Sequence, residues 1–221
     1  MTVVSIVPIK LNNERLPNKN LLSFTNGKPL VTYILETLLN VNNIDERYVF
    51  CSNEAIIPYL PEGVNFLKRS ESLDTQTTTS NDILRSFSEQ VDADVYVLSH
   101  ATSPFIPAAA IEDGIEKVCS GEYDSALTVT NLQNFLWVDG KPFNYNPQCI
   151  PRTQDLAPVY EETSGMYVFT KELLVKEGRR VGHKPYLVEL SKIEAIDIDE
   201  KEDFIIADAI YNHLIKEGGN N

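Results

Sequence analysis

Two aspartates near the end of the chain, Asp197 and Asp199, stand two residues apart in an Ile-Asp-Ile-Asp run. On an extended strand that spacing sends both carboxylates to one face, while Ile196 and Ile198 point to the other. One face then reads as core and the other as a metal site, because Mg²⁺ prefers one or two carboxylates completed by phosphate oxygens and water. The competing reading has Asp199 capping the final helix, with Glu202 at its third position closing an Asp-x-x-Glu capping box. At the other end, residues 1–30 hold Lys10, Arg15, Lys19 and Lys28 against the single acid Glu14, a net of +3. The remaining residues hold 15 basic against 31 acidic side chains, a net of −16. Focused positive charge in so acidic a chain implies a small polyanionic ligand there.

The elements that must position these groups alternate between strand-length apolar runs and helical spacing, the pattern of a parallel sheet covered on both faces. A strand over residues 3–8 runs into the loop 10–20, then Gly27-Lys28-Pro29-Leu30 opens a helix reaching about residue 41. That loop lies at the carboxyl end of the first strand, where open α/β sheets bind their ligands. Asn12, Asn13 and their neighbours can turn backbone N–H groups inward, with Lys19 reaching a phosphate as a point charge. The loop matches neither the Walker pattern nor Gly-x-Gly-x-x-Gly, so the kinase, GTPase and dinucleotide readings lose their support.

Further strands are predicted at 47–51, 64–67, 95–98, 125–130, 166–170, 186–188 and 193–198, with helices at 54–59, about 80–89, 107–119, 171–176 and 202–215. Residues 131–162 differ in character. They are rich in aromatics, Pro and Asn, and read as an insertion within a single domain spanning 1–221. Large apolar side chains in such an excursion need a partner surface, which a second copy of the chain supplies.

A net charge of −13 over 221 residues argues against nucleic acid as a partner. The start lacks the basic flank and apolar core of a signal peptide, and no apolar run approaches the ~20 residues that span a bilayer, so the chain reads as cytoplasmic with no membrane partner. Cys51, Cys119 and Cys149 are odd in number and lack metal-ligand spacing, and are expected as buried free thiols.

Four separated blocks carry a resemblance: residues 8–20 followed by Gly27-Lys28-Pro29-Leu30; Ala101-Thr102-Ser103-Pro104; Arg152-Thr153-Gln154-Asp155-Leu156; and Asp197-Ile198-Asp199. In order and spacing they resemble the acylneuraminate cytidylyltransferase family, over nearly the whole chain. The resemblance implies a Rossmann-like α/β domain with a mostly parallel sheet, helices on both faces and a dimerisation insertion. It implies transfer of CMP from CTP to the anomeric hydroxyl of an acidic keto-sugar, with Mg²⁺ bound by Asp197 and Asp199. The partners implied are CTP, an acidic sugar and a second copy of the chain.

Residue by residue, Arg15, Pro17, Lys19 and Asn20 fit the family's first motif, whereas Lys10 stands where arginine is usual, Leu11, Asn12 and Asn13 where small residues are usual, and Glu14 where lysine is frequent. Lys10, Asn12, Asn13, Arg15, Lys19 and Asn20 are thereby implied in nucleotide binding, with Lys10, Lys19 and the aspartates as the catalytic set. Glu14 is expected to point away from a triphosphate. Thr79 and Ser80 match hydroxyl residues lining the family's nucleotide site, although helix capping by Thr79 explains it as well. His100 replaces a usual glutamine before Thr102, and Ile106 a usual arginine. His100, Thr102, Arg152 and Gln154 are implied in substrate binding, with Arg152 suited to a sugar carboxylate or a phosphate. The alternatives are a cytidylyltransferase for 3-deoxy-manno-octulosonate or another acidic sugar, and a nucleotide-binding module without turnover.

Overall fold

The computed structural model describes residues 1–13 and 15–215; Glu14 lies outside the described residues, as do 216–221, which include the Gly-Gly-Asn-Asn end that the sequence reads as frayed. Seven strands form the main sheet: β1 (Val3–Ile9), β2 (Glu46–Cys51), β3 (Asn65–Lys68), β4 (Val95–Ser99), β5 (Ser125–Asn131), β8 (Tyr160–Thr170) and β9 (Pro185–Glu189). Two short strands, β6 (Trp137–Val138) and β7 (Lys141–Pro142), pair only with each other. The order is β3-β2-β1-β4-β8-β5-β9, with β8 antiparallel to both neighbours and every other pairing parallel.

Helices α1 (Leu30–Leu39), α2 (Ser80–Ser88), α3 (Ala108–Cys119), α4 (Lys171–Glu177) and α5 (Lys201–Ile210) complete the chain. Both faces of the sheet are covered, which is why its strands read as near-continuous apolar runs. Alternation along β1 sends Val3, Val7 and Ile9 into one core with Ile34 and Leu38 of α1 and Ile115 of α3. Val4 and Ile6 enter the opposite core with Leu84 and Phe87 of α2 and Leu173 of α4. Phe87 meets Tyr48, Phe50 and Tyr96 edge-on at 5.4–6.1 Å between centroids, a geometry aromatic pairs prefer. Gly114 lets α3 lie close on β8, since a Cβ there would come within 2.7 Å of Met166 Cε.

β1 is flanked by β2 on one side and β4 on the other, so the strand order reverses at β1/β4. A crevice outside the carboxyl ends of two such strands is where this architecture binds ligands. A third core cluster, with Phe24, Leu30, Tyr33, Phe105 and Ile198, holds the loop after β1 against α5 and the segment before it.

Residues 193–198 are not a strand. The chain turns over Lys192–Ala195 and continues without regular secondary structure, tied by the Ile198 N–H donating to the Thr102 carbonyl at 2.9 Å. Beyond β9 the chain crosses the end of the sheet, where the loop after β4 offers that single bond rather than a ladder. The alternation survives without the strand, because Ile196 and Ile198 both pack into the third cluster.

The cap of α5 falls one residue later than the competing reading placed it. Glu200 is the N-cap in a box with Asp203, so Asp199 and Glu202 do not form one. Helix α5 ends at Ile210 and widens into a π turn over Tyr211–Ile215. Strand β8 begins at Tyr160, whose partner is Asn131, so both ends of the 131–162 segment belong to the sheet and residues 132–159 form the excursion. Of the cysteines, Cys51 is buried and its thiol pushed up by burial, Cys119 is half-buried, and Cys149 is exposed, contrary to expectation.

Candidate functional site

The loop after β1 is built by a few firm contacts. Asn20, buried, donates from Nδ2 to the Lys10 carbonyl at 2.9 Å and closes the loop on itself. Asn18 takes the left-handed conformation (φ 55°), which asparagine tolerates, and starts the single turn Lys19–Leu21. That turn carries Lys19 inward to 8% exposure. Its ammonium donates to the Ile198 carbonyl at 2.7 Å and to Asp199 Oδ1 at 3.1 Å. Arg15 reaches the other oxygen of Asp199 at 3.0 Å. Burial raises the Asp199 carboxyl, but Lys19 and then Arg15 outweigh it and hold the group below its ordinary range. At neutral pH the three charges are therefore locked together.

Lys10, Asn12, Asn13, Arg15, Lys19 and Asp199 line one cavity of about 430 Å³. The Lys10 ammonium forms no ion pair among the described residues, and Asn13 Oδ1 is buried without a partner. Lys10 also lines an adjoining cavity of about 210 Å³, walled by Pro8, Ile83, Leu84 and Leu98, with Arg69, Ser80 and His100 as polar groups. Lys10 and His100 thus lie just past the carboxyl ends of β1 and β4, at the switch point.

Arg69 was missed in the sequence. It follows β3 directly, is 2% exposed, and donates from Nη2 to Asp74 at 2.5 Å, while Asp74 accepts from Ser52 at 2.6 Å. Its Nε lacks a partner. The legible signal was a basic pair, Lys68-Arg69, at a strand end, a few positions ahead of the Thr-rich run that leads into α2.

His100 donates from Nδ1 to the Ser164 carbonyl at 2.7 Å; a carbonyl only accepts, so Nε2 is left as an acceptor. Burial lowers its pKa; the Ser164 carbonyl and Asp197 raise it, and Arg180 and Lys19 lower it further, with a net fall. An unfolded histidine titrates near 6.5. A depressed folded value means the unfolded chain takes the proton first, so stability present above about pH 6.5 is lost as pH falls through the lower folded pKa. Thermal melts between pH 7.5 and 5.5 should therefore decline more steeply in the parent than in His100→Gln; equal slopes would reject a neutral, half-buried His100.

Asp197 and Asp199 are parted by Ile198 and line different cavities. Asp197 faces one of about 400 Å³ between the ends of β5 and β8, and its Oδ1 is buried with no partner. Thr79 caps α2 in a reciprocal box with Asp82, and with Ser80 lines a further cavity of about 290 Å³ beside Arg179 and Arg180. Thr102 is present through its backbone carbonyl. Arg152 and Gln154 do not join the others: both are exposed in the excursion, Arg152 gripping Asp155 at 2.7 and 3.0 Å. A further cavity of about 630 Å³ is lined by Glu54, Glu71 and Asp74 with Lys68, itself paired to Glu54, a charge balance unsuited to a polyanion.

The fold is the Rossmann-like α/β arrangement seen in solved nucleotidyltransferases. A CMP:2-keto-3-deoxy-manno-octonic acid synthetase complexed with CTP aligns with TM-score 0.71 at 16% identity, over 96% of this chain and 99% of that one. A 4-diphosphocytidyl-2C-methyl-D-erythritol synthase from Anaerococcus prevotii aligns with TM-score 0.70 at 14% identity, over 96% of each chain. The chain belongs to the cytidylyltransferase family, whose model matches residues 4–211. It is 25% identical to an N-acylneuraminate cytidylyltransferase of Streptococcus agalactiae, over all of this chain and 56% of that protein. It is 27% identical to N-acylneuraminate cytidylyltransferase A of Danio rerio, over 93% of this chain and 50% of that protein. A pseudaminic acid cytidylyltransferase of Campylobacter jejuni is 23% identical over 96% of this chain and 98% of its own length. The chain thus spans about half the length of the first of these relatives. Among the described residues no helix is long and apolar enough to cross a membrane.

Proposed function

We propose that the chain transfers CMP from CTP to the anomeric hydroxyl of an acidic keto-sugar, N-acetylneuraminate or a related nonulosonate, and releases pyrophosphate. The observation that carries this reading is a set of three cavities along the carboxyl edge of the sheet, two of them at the switch point and the third between the ends of β5 and β8. The small, largely apolar one with Arg69 suits a flat base; the basic one with Lys10, Arg15 and Lys19 suits a triphosphate; the polar one with Asp197 suits a sugar. Lys10 links the first pair, and the Asp197-Ile198-Asp199 run links the second.

In the reaction the sugar oxygen forms a bond to the α-phosphorus in line with the departing bridge oxygen, whose bond to that phosphorus breaks as pyrophosphate leaves. Lys19 and Arg15 exchange Asp199 for phosphate oxygens, and Lys10 with the loop amides at Asn12 and Asn13 fixes the chain of phosphates. Asn20 acts one step back, holding the loop closed. Ser80 and His100, the latter with an acceptor nitrogen, line the base cavity and are proposed to meet the nucleotide there. Thr102 fixes the height of Ile198 and so of the aspartates beside it.

Mg²⁺ is proposed at Asp197 and Asp199: Asp197 offers a buried oxygen with no partner, and Asp199 a second carboxylate once Lys19 and Arg15 turn to phosphate oxygens. Bound by these two residues, the ion would neutralise charge developing on the phosphates. The incoming hydroxyl loses its proton as the new bond forms, and Asp197 Oδ2, the oxygen not assigned to the ion, is proposed to accept it in the cavity where that hydroxyl lies.

The excursion, with Trp137, Phe143 and Ile150 each about 60% exposed, is proposed to build a homodimer and bring Arg152 to the sugar pocket of a second copy. Sedimentation should find a dimer at micromolar concentration, and Arg152→Ala should raise the Michaelis constant for the sugar more than that for CTP. A fully active monomer, or an unchanged sugar constant, would remove the corresponding half of this proposal. The cytoplasm, where CTP is made and spent, is the compartment proposed. Pyrophosphate release from CTP, assayed with a panel of keto-acid sugars, tests the function: release with one of them supports it, and CTP binding without release leaves only a nucleotide-binding module.

A further inference from the structure

The cavity that Asp197 faces differs in charge from its basic neighbour. Three carboxylates line it, Glu161, Glu162 and Asp197, with a single cation, Lys192. Glu162 is already occupied, accepting from the Tyr167 hydroxyl at 2.5 Å with Arg180 at 3.8 Å. Glu161 takes only a long bond from Thr130 at 3.4 Å. Lys192, exposed in the turn before Asp197, pairs with no carboxylate among the described residues. On the same cavity Asn131 Oδ1 is buried and lacks a donor. A buried acceptor without a partner and an unclaimed ammonium together fit a ligand that brings a hydroxyl or amide hydrogen and one negative charge.

We infer that Lys192 is the specificity-determining residue that pairs with the carboxylate of the acceptor sugar, and that the glutamates beside it restrict the cavity to acceptors bearing a single negative charge. The inference rests on the transfer reaction proposed above. In a 2-keto-acid sugar the carboxylate and the attacking hydroxyl are substituents of one carbon. A group that reads the carboxylate must therefore share a cavity with the group beside which the hydroxyl reacts. Lys192 shares its cavity with Asp197, whereas Arg152 reaches such a site only from a second copy. The long, flexible lysine stem suits a charge held at the rim. A sugar phosphate carries close to two negative charges at neutral pH and meets Glu161 and Glu162 with only Lys192 to offset them.

Steady-state kinetics with CTP tests this on the parent, Lys192→Ala and Lys192→Arg. The acceptors are N-acetylneuraminate and 3-deoxy-manno-octulosonate, the methyl ester of whichever is used faster, and 2-C-methyl-D-erythritol 4-phosphate. Lys192→Ala should raise the Michaelis constant of the acid about tenfold, the scale of one lost charge-assisted bond. Its kcat and its constant for CTP should stay near the parent's, its preference for acid over ester should collapse, and Lys192→Arg should restore most of that preference. The sugar phosphate should not be used by the parent. If the parent uses an acid and Lys192→Ala keeps both its Michaelis constant and its acid preference, the assignment to Lys192 falls while the transfer reaction stands. Use of the sugar phosphate at a rate matching the acid would overturn the single-charge restriction. Failure to release pyrophosphate with every member of a keto-acid sugar panel that includes these two acids would overturn the reaction and this inference together.

Discussion

Asp197→Asn is expected to lower kcat about a thousandfold in the presence of Mg²⁺ while leaving the melting temperature within a few degrees of the parent. Ile196 and Ile198 anchor the segment from the opposite side, so an isosteric amide does not disturb the packing. The change removes one of two carboxylates proposed to hold the ion that neutralises the phosphates, an effect of several kcal/mol, with each 1.36 kcal/mol a factor of ten in rate. Asp199→Asn should cost a similar factor by a different route. It also uncouples Lys19 and Arg15, whose shared partner is Asp199, so CTP binding without metal should tighten rather than weaken. Rates within twofold of the parent in both variants would reject the paired-aspartate assignment.

The second large effect belongs to Lys19→Ala, which should raise the dissociation constant of CTP by about one to two orders of magnitude and leave that of the sugar nearly unchanged. Hydrogen bonds to a charged group contribute roughly 1.5–3 kcal/mol each, which sets that range. Lys19 is the most buried cation of the loop and cannot be replaced from solvent. The variant should also melt earlier, because the Ile198 carbonyl loses its donor from Lys19 and Asp199 keeps only Arg15. Calorimetric titration of CTP into parent and variant measures the first claim, and equal affinities would exclude the loop as the phosphate site.

The parts of the fold that were legible were those where local pattern and tertiary demand agree. β1, β4 and α3 are apolar in the period their elements require, and the structure places them within a residue or two of the expected bounds. The alternation at Ile196–Asp199 was also readable, since it reflects which side chains can be buried. Its assignment to a strand was not, because strand formation needs a partner ladder, and the absence of one beyond β9 is a property of the whole sheet. The cap of α5 slipped for a related reason: Asp199 and Glu200 are both competent caps, and Lys19, far away in sequence, draws Asp199 into the cavity. Arg69 went unread because its partner Asp74, itself held by Ser52, comes from a different element. Arg152 was recognisable as a block in sequence, yet in a single chain it bonds to its neighbour Asp155, since spacing along an excursion does not say which surface the excursion meets.

Phosphorus NMR of the protein with CTP, Mg²⁺ and N-acetylneuraminate or a related nonulosonate addresses nucleotidyl transfer most directly. The three CTP resonances should give way to one phosphodiester signal and inorganic pyrophosphate in equal amounts, with the new phosphodiester bonded to the anomeric oxygen of the sugar. Persistence of the CTP signals across the sugar panel, or breakdown of CTP to products with no phosphodiester, would contradict it.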